Sequence, residues 1–294
     1  MARIAITGGT GFVGIHTSRA LAAAGHELRL LARGTRSGPR PAGAEWVRAD
    51  VVEATGLVEA LQGCDAVVNL VAIIREKGEQ TFARVNAQGT ANVVRAATEA
   101  GVGHLVHISA IGVDPDPRYP YLASKWEGEQ AVRSGRVPFT VLRPSLIFGP
   151  GDGFFTMLAK LIRLNPVVPV VGDGRALLQP IAIGDLARII TLCIERGPDG
   201  RVHEVGGPEH LTYEQIIDVI KVETGRHRRN VHVPVGAMVP LATVMEKVLP
   251  NPPVTPGQLR MLERENVTRL DAVASQFGFE PIPLEGHAAY LQDY

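Results

Sequence analysis

The sequence predicts an α/β protein: a doubly wound, mainly parallel sheet of about seven strands with a smaller C-terminal α+β lobe. Short apolar runs typical of buried strands are followed by helical segments through the first half of the chain. The first run, residues 4–6, leads directly into a glycine-rich turn and then into an alanine-rich helical segment, residues 13–24. The length of 294 residues exceeds that of one typical domain, which predicts the second lobe.

The glycine-rich turn reads Thr7-Gly8-Gly9-Thr10-Gly11-Phe12-Val13-Gly14. Gly8 suits a tight turn, Gly11 allows backbone N–H groups to approach a pyrophosphate, and Gly14 allows the helix to pack closely on the strand. The helix N-terminus adds unpaired donors and a partial positive charge. Because a strand precedes the turn and a helix follows it, these eight residues predict a dinucleotide site of the Rossmann type.

The remaining elements follow in order along the chain. Apolar periodicity and the positions of glycine and proline define them. Strands are predicted at 27–33, 45–50, 65–72, 104–109, 137–143 and 201–206, and helices at 54–61, 79–100, 154–164, 186–196, from 211 onward, and at 235–249.

The long helix at 79–100 contains a glycine in its middle. Gly89 costs about 1 kcal/mol there relative to alanine. Either close helix packing or a backbone irregularity near Asn86 would account for a glycine at this position.

The end of the second strand predicts which dinucleotide binds. An acidic residue there holds the ribose 2′-hydroxyl of NAD, whereas a 2′-phosphate requires loss of that carboxylate and addition of an Arg. The strand ends in Ala32-Arg33, so we expect NADP(H) to be preferred over NAD(H), with Arg33 on the phosphate. Arg36 and Arg40 follow, and we interpret them as part of a solvated basic loop.

The candidate catalytic residues follow the fifth strand. Ser109 places a hydroxyl at the carboxyl edge of the sheet, where open α/β folds bind ligands. Tyr121 and Lys125 are four residues apart, so a helix puts them on one face. A tyrosine has an ordinary pKa of about 10, and a nearby ammonium favours the phenolate. We predict that Tyr121 is the acid–base, that Lys125 activates it and reaches the nicotinamide ribose, and that Ser109 holds the substrate oxygen.

These motifs resemble the short-chain dehydrogenase/reductase family, in its extended and atypical, epimerase/dehydratase-like branches. The branch that contains the accessory subunit of respiratory complex I is the most similar, because only a short gap separates Ser109 from Tyr121. The resemblance implies further cofactor contacts. Asp50 and Val51 are expected to contact the adenine, and Leu70, Val71 and Ala72 the nicotinamide-side ribose. The resemblance also implies contacts from Asn86, in an Asn-x-x-Gly-Thr-x-Asn segment, and from Pro144 and Ser145 over the nicotinamide.

The domain division follows from the same motifs. Residues 1–150 are assigned to the NADP(H)-binding domain, completed by segments within 180–210, and residues 151–294 mainly to the C-terminal substrate lobe. Asp185 is expected to cap the helix at 186–196, and Thr212 the helix that follows. We interpret Arg143 as a buried or interdomain ion-pair partner.

Two interpretations of the C-terminal lobe stay open. One group of apolar side chains either lines a substrate pocket or packs in the core: Phe148, Phe154, Phe155 and Met157. The apolar segment 236–249 is too short to span a bilayer and suits either docking on a membrane surface or protein partner, or packing as a substrate lid.

Bulk properties predict a cytoplasmic protein without nucleic-acid partners. The formal net charge is +0 and the pI is about 7.1, which gives no electrostatic reason for nucleic-acid binding. Cys64 and Cys193 lie in apolar contexts and suggest buried thiols, so neither a disulfide nor a metal site is expected. Residues 1–3 run directly into the first strand, which predicts no signal peptide, and no apolar run is long enough for a membrane span.

The leading functional prediction is an NAD(P)(H)-binding oxidoreductase that transfers hydride to or from a carbonyl or alcohol of a small, largely apolar substrate. One alternative is a non-catalytic cofactor-binding structural or sensor protein, which the resemblance to the complex I subunit implies. Another is a nucleotide-sugar epimerase or dehydratase. Those epimerases usually carry an Arg and an aromatic residue where this chain has Leu177-Leu178-Gln179, which weakens the second alternative.

Overall fold

A computed structural model describes residues 1–34, 40–249, 254–262 and 264–294. Arg36 lies outside the described residues. The strands are β1 Arg3–Thr7, β2 Glu27–Ala32, β3 Glu45–Arg48, β4 Ala66–Asn69, β5 His104–Ile108, β6 Phe139–Pro144, β7 Ile147–Phe148, β8 Val167–Val171, β9 Leu177–Leu178, β10 Ile181–Ala182, β11 Val202–Val205, β12 Leu211–Thr212 and β13 Arg229–Val233.

The helices alternate with these strands. The α-helices are α1 Phe12–Ala23, α2 Leu57–Leu61, α3 Gly89–Glu99, α4 Pro120–Ser134, α5 Phe154–Leu164, α6 Ile183–Arg196, α7 Tyr213–Glu223, α8 Val235–Val248, α9 Pro256–Met261 and α10 Ala272–Phe277. A π-helix, Ala83–Gln88, precedes α3, and a 3-10 helix, Ala289–Asp293, lies near the C-terminus.

Two compact units make up the chain. The first unit comprises Met1–Pro144 and Ile183–Glu204, and the second comprises Ser145–Ala182 and Val205–Tyr294. The seven-stranded sheet has the order β11-β6-β5-β4-β1-β2-β3. The pairings from β6 through to β3 are all parallel. The predicted doubly wound, mainly parallel sheet of seven strands is therefore confirmed.

The centre of this sheet is buried because its strands are mainly apolar. All residues of β4 and β5 are buried, and Ile4 and Ile6 of β1 are fully buried. Helices α1 and α6 pack together, and α3 packs with α2 and α4. Because parallel strands end at the same edge, Thr7, Asn69 and Ile108 terminate the neighbouring strands β1, β4 and β5 side by side.

The long helix predicted at 79–100 is divided into a π-helix and α3. The π-helix covers Asn86, which confirms the expected backbone irregularity near that residue. The helix continues from Gly89, where a Cβ would lie 3.3 Å from the Val51 side chain. Close packing and the irregularity therefore both account for the glycine.

The second unit packs α5 and α7 with a parallel pair formed by β8 and β13. Phe148 and Phe155 are buried in its core, so these two side chains pack instead of lining an open pocket. Thr212 caps α7 as predicted, because its hydroxyl accepts from the Gln215 N–H at 3.1 Å in a capping box.

The predicted role of Asp185 as a helix cap is wrong. The helix α6 begins at Ile183, so Asp185 lies inside its first turn, where it is buried. An acidic side chain in the first turn still interacts favourably with the helix dipole. Among the described residues, no helix combines the length and the apolar character that crossing a bilayer requires.

We predict that Gly14→Ala lowers the free energy of unfolding by about 3 kcal/mol or more, because its Cβ would meet the Gly8 carbonyl oxygen and lie 2.7 Å from the Gly9 Cα. Urea titration monitored by circular dichroism measures this change. Gly184→Ala is the matched control, because it lies in α6 with open space around its Cβ. The control should be neutral or stabilising by up to about 1 kcal/mol. Equal unfolding midpoints for the two variants would contradict the packing role of Gly14.

Candidate active site

The glycine-rich turn has the geometry of an anion site. Gly8 has a φ of +70°, which favours glycine, and its carbonyl oxygen accepts from the Gly11 N–H at 2.9 Å. Gly14 packs against the backbone of Gly8 and Gly9, so α1 starts close to the end of β1. No side chain in the described ranges caps the N-terminus of α1. Its first N–H groups therefore suit a dinucleotide pyrophosphate.

The end of β4 lies beside this turn. The Thr7 hydroxyl donates to Asn69 Oδ1 at 2.6 Å and accepts from the Leu70 N–H at 3.2 Å. A Cβ on Gly8 would lie 3.2 Å from the Leu70 and Val71 backbone. The structure therefore brings the predicted cofactor residues Thr7, Gly8, Leu70 and Val71 together.

A cleft of about 500 Å³ opens near the ends of β2 and β3. The amide oxygen of Gln80, in the orientation that satisfies both side chains, accepts from the Arg33 guanidinium at 2.9 Å. The predicted residues Arg33 and Asp50 share this cleft, whereas Val51 is buried in the core. The lining residues are Arg33, Asp50, Val52, Glu53, Lys77, Glu79, Gln80, Arg84 and Val85.

Charge in this cleft is partly neutralised by internal ion pairs. The Arg84 guanidinium lies 2.6 Å from Glu53 and 3.5 Å from Glu79. The Asp50 carboxylate accepts from the Val52 N–H at 2.8 Å. Arg33 contacts a neutral amide, which does not neutralise the positive charge of its guanidinium. This guanidinium could therefore bind an anionic group of a ligand.

The phenol of Tyr121 lies in an apolar environment. Its ring meets the Phe82 ring edge-on, with centroids 5.8 Å apart. Burial raises the pKa of Tyr121 to about 12. The phenol therefore keeps its proton near neutral pH, and the expected effect of Lys125 on the phenolate stays a prediction.

Lys125 is buried one turn after Tyr121. Its ammonium donates to the Ile108 carbonyl oxygen at 2.5 Å, at the end of β5. Burial lowers the pKa of Lys125 to about 8, and the negative charge of Glu129 opposes this effect. The sheet thus holds the ammonium at its carboxyl edge.

The Ser109 hydroxyl has a different partner from the predicted one. It donates to Glu129 Oε2 at 2.8 Å, and Glu129 is fully buried. Arg143 donates to both oxygens of this carboxylate, at 2.9 and 2.7 Å, and lies 3.4 Å from Glu204. Arg143 is therefore an ion-pair partner within the first unit. In this arrangement the only proton of the Ser109 hydroxyl is not available to a substrate oxygen.

The amide of Asn86 connects the segment after β4 to α4. It accepts from the Ile73 N–H at 2.8 Å and donates to the Ile73 carbonyl and the Ser124 hydroxyl, both at 3.0 Å. The Ser124 hydroxyl in turn donates to the Tyr121 carbonyl at 2.7 Å. Asn86 thus positions the start of α4 through the backbone, and its cofactor contact stays a prediction.

Three other predicted cofactor residues are Ala72, Pro144 and Ser145. Ala72 is exposed after β4, and Pro144 ends β6 in the first unit. Ser145 belongs to the second unit, where its hydroxyl donates to the Asn266 carbonyl at 3.1 Å. Contacts from these three residues to a cofactor stay predictions.

Sequence reasoning missed three residues of this region: Phe82, Gln80 and Glu129. Glu129 had a usable signal, because it continues the four-residue spacing of Tyr121 and Lys125 along one helix face. Phe82 and Gln80 had no such signal, since only the folded chain places them beside Tyr121 and Arg33.

We predict that Arg143→Ala destabilises the protein by about 3–5 kcal/mol, because it removes the nearer, doubly hydrogen-bonded cationic partner of the buried Glu129 carboxylate and leaves Arg133 at 3.8 Å. Chemical denaturation measures the change. Arg118→Ala removes an exposed ion pair with Asp116 in the same unit and should leave the melting temperature unchanged. If Arg143→Ala also left stability unchanged, the ion pair would not stabilise this region.

Comparison with known proteins agrees with this geometry. Residues 4–206 match the model of the NAD dependent epimerase/dehydratase family. A ceramide reductase of Caulobacter vibrioides is 31% identical over 192 residues, which are 65% of this chain and 60% of that protein. The mitochondrial NADH-ubiquinone oxidoreductase 40 kDa subunit of Neurospora crassa is 25% identical over 250 residues, 83% of this chain and 65% of that subunit. The matched part is less than two thirds of each relative.

Solved structures show the same fold. The UDP-glucuronic acid 4-epimerase of Bacillus cereus, in complex with UDP-glucuronic acid and NAD, aligns with a TM-score of 0.78 at 20% identity. The alignment covers 99% of this chain and 98% of the epimerase. Together with the family match over residues 4–206, this fold shows that the chain belongs to the NAD dependent epimerase/dehydratase family, whose members bind a nicotinamide cofactor.

Proposed function

We propose that this protein is an NADP(H)-dependent reductase that acts on the carbonyl of a largely apolar substrate. The observation that carries the proposal is the pair of Tyr121 and Lys125 on one face of α4. Lys125 is fixed to the last carbonyl of β5, at the carboxyl edge of the sheet where α/β folds bind ligands. A partly buried phenol and a buried ammonium at this edge suit proton transfer to a substrate oxygen.

The glycine-rich turn suits the cofactor. The close approach of Gly14 to Gly8 and Gly9, and the uncapped start of α1, provide the cradle that a pyrophosphate requires. Leu70 and Val71 extend the cradle along β4. When bound, the nicotinamide supplies the hydride, and the residues of this chain orient the reactants and move the proton.

The protonation state of Tyr121 favours the reductive direction. With a pKa of about 12, the phenol keeps its proton near neutral pH and can donate it to a carbonyl oxygen. Alcohol oxidation would require the phenolate, which the apolar surroundings of the ring disfavour. Lys125, with a pKa of about 8, is largely charged near neutral pH and stabilises negative charge that develops nearby.

Ser109 has a positioning role in this proposal, instead of the predicted contact with substrate. Its bond to Glu129 ties the end of β5 to α4, the helix that carries Tyr121 and Lys125. The Ser109 hydroxyl therefore affects the reaction indirectly, by holding α4 and its side chains Tyr121 and Lys125 in position.

An aromatic side chain beside Tyr121 supports a largely apolar substrate. Phe82 covers one edge of the phenol ring. An apolar ring beside the proposed acid favours aliphatic groups on the carbonyl carbon. The ceramide reductase relative, by its name, acts on a lipid.

The catalytic assignment predicts that Tyr121→Phe lowers turnover by roughly 10²–10⁴, the contribution of a positioned general acid, with cofactor affinity nearly unchanged. Lys125→Met should weaken both turnover and cofactor binding. A panel of aliphatic ketones, followed by NADPH absorbance, provides the measurement. Ser109→Ala should lower turnover by less than tenfold, because Ser109 does not touch the substrate in this proposal.

Two results would decide against this assignment. Equal turnover by the parent protein and Tyr121→Phe would remove Tyr121 as the acid. If no substrate turned over and bound NADPH only raised the melting temperature, the non-catalytic cofactor-binding alternative would apply, because a ligand that binds only the folded state stabilises it.

The cofactor assignment predicts that the protein binds NADPH more tightly than NADH, by roughly ten- to a hundredfold, through a charge-assisted contact with Arg33. Arg33→Ala should abolish this preference, as measured by fluorescence titration with both cofactors. Arg40→Ala is the matched control, since Arg40 is also an arginine that follows β2 in the sequence, and its side chain is exposed. Equal dissociation constants for the two cofactors in the parent protein would rule out the preference.

A further inference from the structure

A strongly basic turn follows α7 in the second unit. Residues 226–229 read Arg-His-Arg-Arg, in a chain whose formal net charge is +0. The backbone of this turn is fixed: the Arg226 N–H donates to the Lys221 carbonyl at 2.8 Å and the Gly225 N–H to the Val222 carbonyl at 3.1 Å. With Gly225 at a φ of +63°, this is a Schellman motif, so the basic side chains project from an ordered scaffold.

The same turn is attached to the end of α5. Arg228 Nε donates to the Ile162 carbonyl at 3.2 Å, which satisfies one of the last carbonyl groups of that helix. Arg229 begins β13 and pairs in register with Val167, the first residue of β8. The C-terminal ends of α5 and α7 therefore meet the starting ends of β8 and β13 at one end of the second unit.

Two apolar side chains project from this end. Leu164, the last residue of α5, and Val222, in the last turn of α7, are each 78% exposed. Apart from Met1, they are the most exposed large apolar side chains in the described part of the chain. Single exposed apolar residues are ordinary, but these two flank the basic turn. We call Leu164, Val222, Arg226, His227 and Arg229 the basic end.

The charge of the basic end is not neutralised locally. Arg226 and Arg229 are exposed and make no ion pair with any residue in the described ranges. The one acidic side chain in the preceding turn, Glu223, accepts from the Gly286 N–H at 2.8 Å. Arginine charge beside exposed aliphatic side chains is complementary to a surface with anionic groups above a hydrocarbon layer.

We propose that the basic end docks on an anionic lipid surface. Arg226 and Arg229 contact the headgroups, and Leu164 and Val222 enter the boundary with the acyl chains. A nucleic acid is the less suitable partner, because the exposed apolar side chains of the basic end are aliphatic and offer no aromatic ring for base stacking. The proposal is independent of the reductase assignment, since the two sets of residues belong to different units.

Co-sedimentation of the full chain with vesicles tests this proposal. We expect binding to vesicles of phosphatidylcholine mixed with phosphatidylglycerol, little binding to phosphatidylcholine alone, and release by high salt. The double variant Arg226→Glu/Arg229→Glu should bind at least about 25-fold more weakly, because each basic residue near such a surface contributes about fivefold to the affinity. Leu164→Ser/Val222→Ser should weaken binding about tenfold.

Two control variants make the test specific. Arg19→Glu/Arg40→Glu makes the same charge change at exposed positions of the first unit and should retain most of the binding. Leu241→Ser/Val244→Ser alters another exposed apolar face, on α8, where the two side chains are 62% and 59% exposed, and should bind normally. Melting temperatures check that each variant is folded, and the single variants Arg226→Gln and Val222→Ser replace the corresponding double variants if those are not folded.

Several outcomes would overturn the proposal. These are no binding to anionic vesicles, equal binding to neutral vesicles, loss of binding in the α8 variant alone, and binding to heparin or RNA without binding to vesicles. Reductase activity measured on the same variants separates this result from the proposed function, since the basic end and the proposed catalytic residues belong to different units.

Discussion

The buried carboxylate of Glu129 organises the first unit around the proposed catalytic helix. A fully buried carboxylate is costly unless charged and hydrogen-bonding partners surround it. Ser109 at the end of β5 and Arg143 on β6 supply those partners, and Arg143 also reaches Glu204. One charge on α4 therefore fixes that helix against two neighbouring strands of the sheet.

This constraint sets the chemistry of the same helix face. Tyr121 and Lys125 precede Glu129 at four-residue intervals, so fixing Glu129 also fixes their height above the sheet. Burial shifts the pKa values of both groups, upward for Tyr121 and downward for Lys125, because each loses water around its charged form. In the proposed reduction, the neutral phenol donates a proton and the ammonium stabilises negative charge that develops nearby.

The proposed catalytic site and the basic end belong to different units. The first unit contains the glycine-rich turn, the cleft with Arg33 and the Tyr121 helix, and it includes most of the region that matches the epimerase/dehydratase family. The second unit contains the basic end, which no family motif predicts.

The sequence alone determined the seven-stranded fold, the glycine-rich turn and the spacing of Tyr121 and Lys125, because strand periodicity, glycine conformation and helix spacing are local properties. It also predicted the cap at Thr212 and offered an irregular helix near Asn86 as one of two explanations for Gly89. The tertiary structure alone decided the partner of Ser109, the protonation of Tyr121 and the contact between Arg33 and Gln80. These depend on burial and on residues distant in sequence, which no local pattern specifies.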